Sequence, residues 1–369
     1  MNVDETSAVS KKKLEEFASQ IISDIRAGRN PKFSATARTR SNITYDEKKG
    51  YLSLGDAKEE RSFINVAQSK RFMQTIAIAA KCHQFVRENL HTSIRGLYYQ
   101  LKYSLGEDVD ENIFSEQAES NPLIEDLEVS LGLKRENLNL NANRKGVLAG
   151  NIKIIDTFGK EKLEIDASKM GRSGWAIPSD VDNDIKFIDI KAKYVLVVEK
   201  DALWQRLNED MFWKKENIIL ISPQGQAARG TRRLIRKLSD AGLPIYVFND
   251  GDAWGWYIYW TIKTGSMNLA YIGEDIATPE AKFIGVTMSD VEKYDFLKNM
   301  TMKASEIDLK RAQEMLAYPW INKHKEWVAE LKKVIQTKKK LEQDTLQGPR
   351  LTFVDDYIKD KIKNNEFLP

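Results

Sequence analysis

The sequence predicts an α/β chain with more than one domain, in which helices and a hairpin precede a doubly wound parallel sheet that carries further helices. Three observations predict this. Short apolar runs alternate with amphipathic helical segments between residues 194 and 248, and the part before them is mainly helical. The length of 369 residues exceeds one average domain, and a hydrophobic content of 42% suffices for several cores. We expect an N-terminal extension over 1–68, a second domain over 69–155 and a third over 156–369.

Composition excludes several classes of protein. The 57 basic and 54 acidic residues leave a net charge of +3, which by itself does not indicate a nucleic-acid partner. The only cysteine, Cys82, cannot form an internal disulfide or a multi-thiolate site, and the three histidines are scattered, so we expect no zinc site. No apolar stretch approaches the roughly 20 residues that span a bilayer. We therefore expect a cytoplasmic protein without membrane contact.

The N-terminal extension combines a helix and a hairpin. Apolar residues from Leu14 to Ile25 recur at helical spacing, and Gly28 and Pro31 end the pattern, which predicts an amphipathic helix. Residues 32–54 alternate around a turn at Lys49 and Gly50, which predicts a hairpin packed on the next domain.

The second domain is predicted as a winged helix. Two helices are expected between residues 69 and 105, and a third over 122–131, with Pro122 in its first turn. Residues 138–155 then alternate around a turn that contains Arg144 and Lys145. Helices followed by a hairpin with a basic tip are typical of winged helices, which lay one helix in the major groove of DNA.

The third domain is predicted as a doubly wound sheet. Apolar runs at 194–198, 218–221 and 245–248 have the character of strands buried on both faces, and a helix is expected over 231–241 between the last two. A helix pair over 305–345, broken at Tyr318 to Trp320, and a last helix over 353–362 complete the chain.

Three carboxylates follow these strands directly. Glu199 follows the first strand, and Asp250 and Asp252 follow the third, at the sheet edge where such folds bind ligands. Two carboxylates about 4 Å apart repel by about 4 kcal/mol at an effective dielectric of roughly 20, so the cluster favours a cation. Magnesium prefers oxygen ligands and suits phosphodiester chemistry. The alternative is that these acids only cap helices or lie in turns.

The acidic motifs resemble a known fold. The runs Val197-Val198-Glu199-Lys200-Asp201 and Phe248-Asn249-Asp250-Gly251-Asp252-Ala253-Trp254-Gly255 are similar to those of the Toprim fold of topoisomerases, primases and some nucleases. With Gly225 to Ile235 and Asn268 to Tyr271, the chain resembles the A subunit family of archaeal topoisomerase VI, which includes the meiotic double-strand-break transesterase. Ala253 departs from the family pattern, which usually has Pro there; because Pro donates no ligand, we expect a looser loop and an unchanged site.

The same resemblance identifies a nucleophile. In this family an Arg followed four residues later by the second of two aromatics marks the catalytic tyrosine, which implies Tyr99, with Arg95 one turn earlier. An i, i+4 spacing puts both side chains on one helix face. A phenol with a pKa near 10 is only about 0.1% ionised at neutral pH, so a nearby cation or base is needed. Tyr98 points about 100° away and is expected to pack in the core. Taken alone, a Tyr-Tyr pair indicates ordinary packing.

The resemblance also implies a reaction and partners. Tyr99 would become joined to a 5′ phosphate of double-stranded DNA, leaving a 3′ hydroxyl for resealing. Cutting two strands with one tyrosine per chain argues for a homodimer with twofold symmetry. The family's strand passage depends on ATP, which implies an ATPase B subunit in an A2B2 heterotetramer. The opening helix is one candidate contact for that B subunit; packing on its own chain is the alternative.

Basic groups complete the predicted site. Arg144, Lys145, Arg229, Arg232 and Arg233 are our candidates for DNA-backbone contacts, and for each group a solvated helix face is the alternative. The glycines of 225–230 do not form a nucleotide-binding loop, because Thr231 stands where that motif requires Lys.

Two other functions fit the same residues. One is a break-forming relative that cleaves without a religation cycle, which would use the same cleavage residues. The other is a noncatalytic DNA-binding protein in which the acidic cluster is a relict.

Overall fold

The computed structural model describes residues 3–102, 104–106, 109–158 and 161–369. The chain forms two compact units. The first holds the residues up to 44 together with 54–143, and the second holds 45–53 together with 144–369. We expected boundaries after residues 68 and 155. The units instead divide at 143/144, and most of the expected extension belongs to the first unit.

Both helices and strands occur in each of the two units. The helices are α1 Val3–Arg26, α2 Val66–Glu88, α3 Ile94–Leu101, α4 Gln117–Leu131, α5 Asp201–Glu209, α6 Phe212–Glu216, α7 Arg229–Asp240, α8 Ala253–Thr264, α9 Gly273–Ile276, α10 Met288–Lys293, α11 Glu306–Leu316, α12 Pro319–Asn322, α13 Lys325–Thr337 and α14 Phe353–Lys363. The strands are β1 Lys32–Thr36, β2 Ile43–Asp46, β3 Tyr51–Leu54, β4 Lys58–Ser62, β5 Thr92–Ser93, β6 Ser104–Gly106, β7 Val109–Asn112, β8 Leu140–Asn141, β9 Val147–Gly150, β10 Ile152–Phe158, β11 Glu161–Asp166, β12 Trp175–Ala176, β13 Ile185–Ile190, β14 Val195–Val198, β15 Ile219–Ser222, β16 Ile245–Phe248, β17 Lys282–Gly285, β18 Met302–Lys303 and β19 Lys339–Lys340. No helix in the described ranges is long and apolar enough to cross a bilayer.

Helix α1 confirms the predicted amphipathic helix. Leu14 and Ile21 on its apolar face are buried, whereas Ile22 and Ile25 are exposed. Leu14 belongs to the same core as Leu97 of α3. The helix therefore packs on its own chain, as one of the two interpretations predicted.

The hairpin predicted over 32–54 is confirmed for its second half, whereas β1 at its start pairs with β4. Strands β2 and β3 pair, and the Gly50 N–H donates to the Asp46 carbonyl at 2.7 Å to close the turn. Residues 45–53 belong to the second unit, where Gly273 leaves room for the Leu52 carbonyl. A Cβ at Gly273 would lie 2.0 Å from that oxygen, so the close approach requires glycine.

One helix of the second predicted domain differs in its start. Helix α4 begins at Gln117, so Pro122 lies inside the helix and not in its first turn. The helix persists because Leu123, Ile124 and Leu127 are buried, and tertiary burial outweighs the backbone hydrogen bond that Pro cannot donate.

The predicted wing was wrong. Residues 138–155 form no hairpin: β8 pairs in parallel with β5, and β9 joins the large sheet antiparallel to β15. The period-two pattern correctly indicated strands, but it does not specify the partner strand. Leu148, Ala149 and Gly150 are all buried, so β9 is covered on both faces, unlike an exposed wing strand. The winged-helix arrangement is therefore not confirmed.

The doubly wound sheet is confirmed. Six strands lie in the order β12-β9-β15-β14-β16-β17, and β14 runs parallel to both β15 and β16. All four residues of β14 and of β15 are buried, as the apolar runs predicted. Strand β17, which we did not predict, extends the sheet in parallel beside β16.

Further elements surround this sheet. A separate antiparallel sheet of β11, β10 and β13 precedes the parallel strands and was not predicted. The C-terminal helices are confirmed, with α11 and α13 broken at α12 and followed by α14. Trp204, Trp256 and Trp327 are fully buried in the core of this unit.

Candidate active site

Parallel pairing brings the acids to one sheet edge. Val198 at the end of β14 is in register with Phe248 at the end of β16, so the residues that follow each strand are neighbours. The Glu199 N–H donates to the Phe248 carbonyl at 3.1 Å, and the Asp250 N–H donates to Glu199 Oε2 at 3.3 Å. Glu199 and Asp250 therefore lie side by side at the carboxyl ends of their strands.

Residues 249–252, which we call the acid loop, are fixed on both sides. Gly251 exchanges two backbone hydrogen bonds with Leu341, at 2.7 and 3.1 Å, and Asn249 exchanges two with Gly285 and Val286, at 2.9 and 2.7 Å. A Cβ on Gly251 would lie 3.1 Å from the Val286 carbonyl oxygen. This confinement accounts for the glycine between the two aspartates.

Burial and mutual repulsion make the two neighbouring acids costly to ionise. Burial, together with the charge of Asp250, raises the pKa of Glu199 to about 8. Burial also raises the pKa of Asp250 to about 6, although the Gln343 N–H and the Lys200 ammonium act in the opposite direction. A cation bound between these carboxylates would favour their charged forms and offset this cost.

Asp252 has a different environment. Its Oδ1 caps α8 by accepting N–H donors from Trp254 and Gly255, at 3.0 and 2.8 Å, and its Oδ2 lies 3.5 Å from the Lys340 ammonium. Burial raises the pKa of Asp252 as well. Half of its carboxylate is therefore committed to the helix terminus, as the capping alternative predicted.

Glu199, Asp250 and Asp252 offer carboxylate oxygens, the ligand type that a hard divalent cation such as Mg²⁺ prefers. Only the first two of these side chains lie side by side. Glu199 and Asp250 are adjacent and only partly exposed, and their raised pKa values show that a positive charge between them would be favourable. Across the residues that the structure describes, no three His, Cys, Asp or Glu side chains form a group that could hold a metal ion. The arrangement thus offers two adjacent carboxylates, with Asp252 turned toward α8.

Sequence reasoning missed the lysines around the acids. Lys200 Nζ lies 3.4 Å from Asp250 Oδ1, 2.8 Å from Glu342 Oε2 and 3.0 Å from Asp344 Oδ2. Lys340 Nζ lies 3.2 Å from Asp308 as well as close to Asp252. The position of Lys200 directly after Glu199 was the one available signal in the sequence.

Tyr99 and Tyr98 have opposite environments on α3. The helix begins after Ser93, whose hydroxyl accepts the Gly96 N–H at 2.9 Å. Tyr98 is 7% exposed and its hydroxyl donates to the Ser115 carbonyl at 3.1 Å, whereas Tyr99 is 58% exposed. The predicted core position of Tyr98 is confirmed.

The Arg95 guanidinium lies beside the exposed phenol of Tyr99. Its Nη2 donates to Tyr99 Oη at 3.4 Å, and its guanidinium carbon lies 5.8 Å from the Tyr99 ring centroid. The i, i+4 spacing therefore brings the two side chains together, as expected of one helix face. A guanidinium in this place offers further N–H donors to an anion beside the phenol.

The structure separates the five basic candidates into two groups. Arg229 and Arg232 are buried, and Arg233 donates to Asp182 at 2.5 Å and to the Asp275 carbonyl at 3.0 Å. All three side chains pack between α7 and neighbouring residues. Because Arg229 and Arg232 are buried, their guanidinium groups are not accessible to a DNA phosphate in this structure. The sequence did not indicate their burial, because charged side chains are usually exposed.

The other two candidates precede β9. Arg144 is exposed, and Lys145 Nζ donates to the Gln226 carbonyl at 3.0 Å. They do not lie at the tip of a wing, because that hairpin is absent from the described structure.

Three protein-family models match the chain, and together they cover nearly all of residues 70–362. The model for the Toprim domain shared by the A subunit of topoisomerase 6 and Spo11 matches residues 194–362, and the model described as "Type IIB DNA topoisomerase" matches 70–140. The model described as "All-beta domain in DNA topoisomerase VI alpha subunit" matches 145–191, the region that contains β9 to β13. Residues 147–155, which we predicted as the second strand of a wing, thus lie within the match to this all-beta domain.

Curated relatives match along nearly their full length. The chain is 43% identical to the A subunit of type 2 DNA topoisomerase 6 from Pyrococcus horikoshii, over 97% of this chain and 95% of that protein. It is 40% identical to the same protein of Aeropyrum pernix, over 95% and 93%, and 33% identical to that of Methanocaldococcus jannaschii, over 98% and 96%. With a Toprim sheet and relatives of this identity, the chain belongs to the family of topoisomerase VI A subunits, within the type IIB DNA topoisomerases.

Proposed function

We propose that this chain cleaves double-stranded DNA by transesterification, with Tyr99 as the nucleophile and Mg²⁺ held at the acid loop. The observation that carries the proposal is the contrast on α3. Tyr99 is 58% exposed beside a guanidinium, while the adjacent Tyr98 is buried and hydrogen-bonded. Exposure of the hydroxyl supports attack on an external substrate.

The reaction conserves phosphoester bonds. Tyr99 Oη attacks a backbone phosphorus and gives up its proton to solvent, while the bond from phosphorus to the 3′ oxygen breaks. The 3′ oxygen leaves and takes up a proton, and the tyrosine stays joined to the 5′ phosphate. Attack by the 3′ hydroxyl on the same phosphorus reverses the step and reseals the strand. The chemistry itself consumes no nucleotide.

Arg95 is proposed to orient the attacked phosphate. Its guanidinium already donates to Tyr99 Oη at 3.4 Å, and a planar group with several N–H donors can bind a phosphate oxygen at the same time. A positive charge beside the phenol also favours the phenolate that attacks phosphorus.

Glu199 and Asp250 are the proposed principal metal ligands, and Asp252 remains a candidate through its Oδ2. When bound, Mg²⁺ would supply positive charge to the phosphate oxygens during transfer. The chain's own contribution is a preformed pair of carboxylates at the carboxyl ends of β14 and β16, which lowers the cost of assembling the site.

The proposed assembly follows from one nucleophile per chain. Cutting both strands requires two such tyrosines, so we propose a homodimer with twofold symmetry. ATP-dependent strand passage, relaxation and decatenation then require an ATPase B subunit in an A2B2 complex. Arg144 and Lys145, which precede β9, are the proposed contacts to the DNA backbone.

The test is covalent capture of DNA by the complex of this chain with its B subunit. Supercoiled DNA, ATP and Mg²⁺ are supplied, and the reaction is stopped with denaturant. Protein-linked DNA is expected with Mg²⁺ and not with a chelator. Tyr99→Phe is expected to abolish the adduct, while Tyr98→Phe, which removes a buried hydroxyl, retains it. An adduct that persists in Tyr99→Phe would contradict the assignment.

The same preparation separates the break-forming alternative. Relaxation of supercoiled DNA is expected from the parent complex. Broken DNA without relaxation would favour the relative that does not religate.

A further inference from the structure

A C-terminal segment lies against the acid loop. We call residues 340–344 the strap. Leu341 pairs its backbone with Gly251 in both directions, and the Gln343 N–H donates to Asp250 Oδ1 at 2.7 Å. The Gln343 side chain is fully buried and donates to the Phe248 carbonyl at 2.7 Å. The strap is thus attached both to the Asp250 carboxylate and to the end of β16, the strand that precedes the acid loop.

Lys200 joins the strap to the same carboxylate. Its ammonium contacts Glu342 and Asp344 of the strap at 2.8 and 3.0 Å, and Asp250 at the longer distance of 3.4 Å. The Lys200 side chain is only 23% exposed, so water screens these contacts incompletely. One cation therefore serves three carboxylates, and the two strap acids make its shortest contacts.

This sharing has a consequence for a divalent cation at Asp250. A bound Mg²⁺ would be repelled by the nearby ammonium, and the repulsion is reduced by the two strap acids that balance the ammonium's charge. Removing the ammonium and removing the strap acids should therefore change metal affinity in opposite directions. A lysine with a purely structural role would not produce this opposition.

We propose that Lys200 is a positioning residue that competes with Mg²⁺ for Asp250, and that Glu342 and Asp344 of the strap weaken this competition by holding its ammonium. The inference rests on the proposed metal function of the acid loop. It assigns to the strap the role of setting the metal affinity of the site.

The experiment is calorimetric titration of the full-length chain with Mg²⁺ alone, without DNA and at low ionic strength. Lys200→Met is expected to bind Mg²⁺ about tenfold more tightly than the parent, because a nearby positive charge is gone. Lys339→Met, which removes an exposed lysine just before the strap, is the matched control and is expected to bind like the parent. Unchanged or weaker binding by Lys200→Met overturns the proposal.

A second variant covers the case in which Lys200→Met does not fold, which thermal unfolding would reveal. The double substitution Glu342→Gln with Asp344→Asn keeps the hydrogen-bonding shapes and removes both charges. It is expected to weaken Mg²⁺ binding severalfold, and unchanged or tighter binding overturns the proposal. A parent chain that binds no Mg²⁺ would instead contradict the proposed function of the acid loop.

Discussion

The acid loop and helix α3 differ in how firmly their functional groups are held. Residues of other elements form hydrogen bonds with the Asp250 N–H, with the Asp250 carboxylate and with the backbone of its neighbour Gly251. Tyr99 is exposed, and its hydroxyl is joined to Arg95 by one long hydrogen bond of 3.4 Å. The carboxylates are preorganised by the fold, whereas the phenol is left accessible to a substrate.

This difference has a physical reason. Carboxylates that bind a cation must be held together against their own repulsion, which requires a rigid, partly buried frame. A nucleophile that attacks a large polymer must remain accessible and needs few contacts of its own. Substitutions of the carboxylates should therefore change both the unfolding free energy and the activity. Substitutions at Tyr99 should change the activity alone.

After the complete loss expected for Tyr99→Phe, the largest effect is expected for Glu199→Gln and Asp250→Asn. Each removes a charge from the proposed metal site, and we expect adduct formation to fall on the order of 10³-fold. Because the buried charge is also removed, the unfolding free energy of the metal-free chain should rise by about 1–2 kcal/mol at pH 8. Covalent capture and denaturant unfolding measure the two changes. A loss of both activity and stability would show that the carboxylates serve the fold instead of a metal.

The pH dependence of stability sharpens the same contrast. Glu199 and Asp250 have folded-state pKa values raised to about 8 and about 6, above their ordinary values of 4.5 and 3.8. Since the folded state binds these protons more tightly, stability falls as the pH rises from the ordinary values through the folded values. Without Mg²⁺ we expect the unfolding free energy to be about 2–4 kcal/mol lower at pH 8 than at pH 5. Added Mg²⁺ should remove most of this fall, and a fall of the same size in Glu199→Gln would contradict its origin.

Arg95 tests the other side of the comparison. Arg95→Ala removes the guanidinium beside Tyr99, and we expect about a tenfold slower adduct formation with no change in unfolding free energy. Arg95→Lys keeps the charge and loses the planar donor group, so its rate should lie between the two. Single-turnover cleavage measures these rates. Equal rates for all three proteins would exclude a role for the guanidinium.

The smallest expected effect concerns the strap. Gln343→Ala removes a buried hydrogen bond to the Phe248 carbonyl and should lower the unfolding free energy by about 1 kcal/mol. Gln347→Ala is the matched control, because the Gln347 amide makes only an exposed contact of 3.5 Å to Asp344. Equal stability of the two variants would show that the strap does not brace the strand end.

The sequence predicted those parts of the fold whose pattern is local. Strands β14, β15 and β16 are short apolar runs because both faces of a parallel sheet are covered, so their positions could be predicted. Glu199 and Asp250 could be paired because the carboxyl ends of parallel strands meet at one edge. The helix face of Tyr99 and Arg95 required only the helical repeat.

The parts that could not be predicted depend on distant partners. Strand β9 was assigned to a wing because alternation does not reveal which strand it pairs with. Gln343 follows Asp250 by more than ninety residues, and no local pattern connects its N–H to that carboxylate. Arg232 was placed at the DNA surface because composition does not reveal a buried arginine.

The proposed reaction requires that the phenol of Tyr99, and no other group, forms the bond with DNA. The most direct measurement is to trap the covalent complex, digest both DNA and protein, and identify the nucleotide-bearing peptide by mass spectrometry. We expect a nucleotide on the peptide that contains Thr92 to Leu101, with fragmentation locating it on Tyr99. A nucleotide on Tyr98, or on a peptide from another part of the chain, would contradict it.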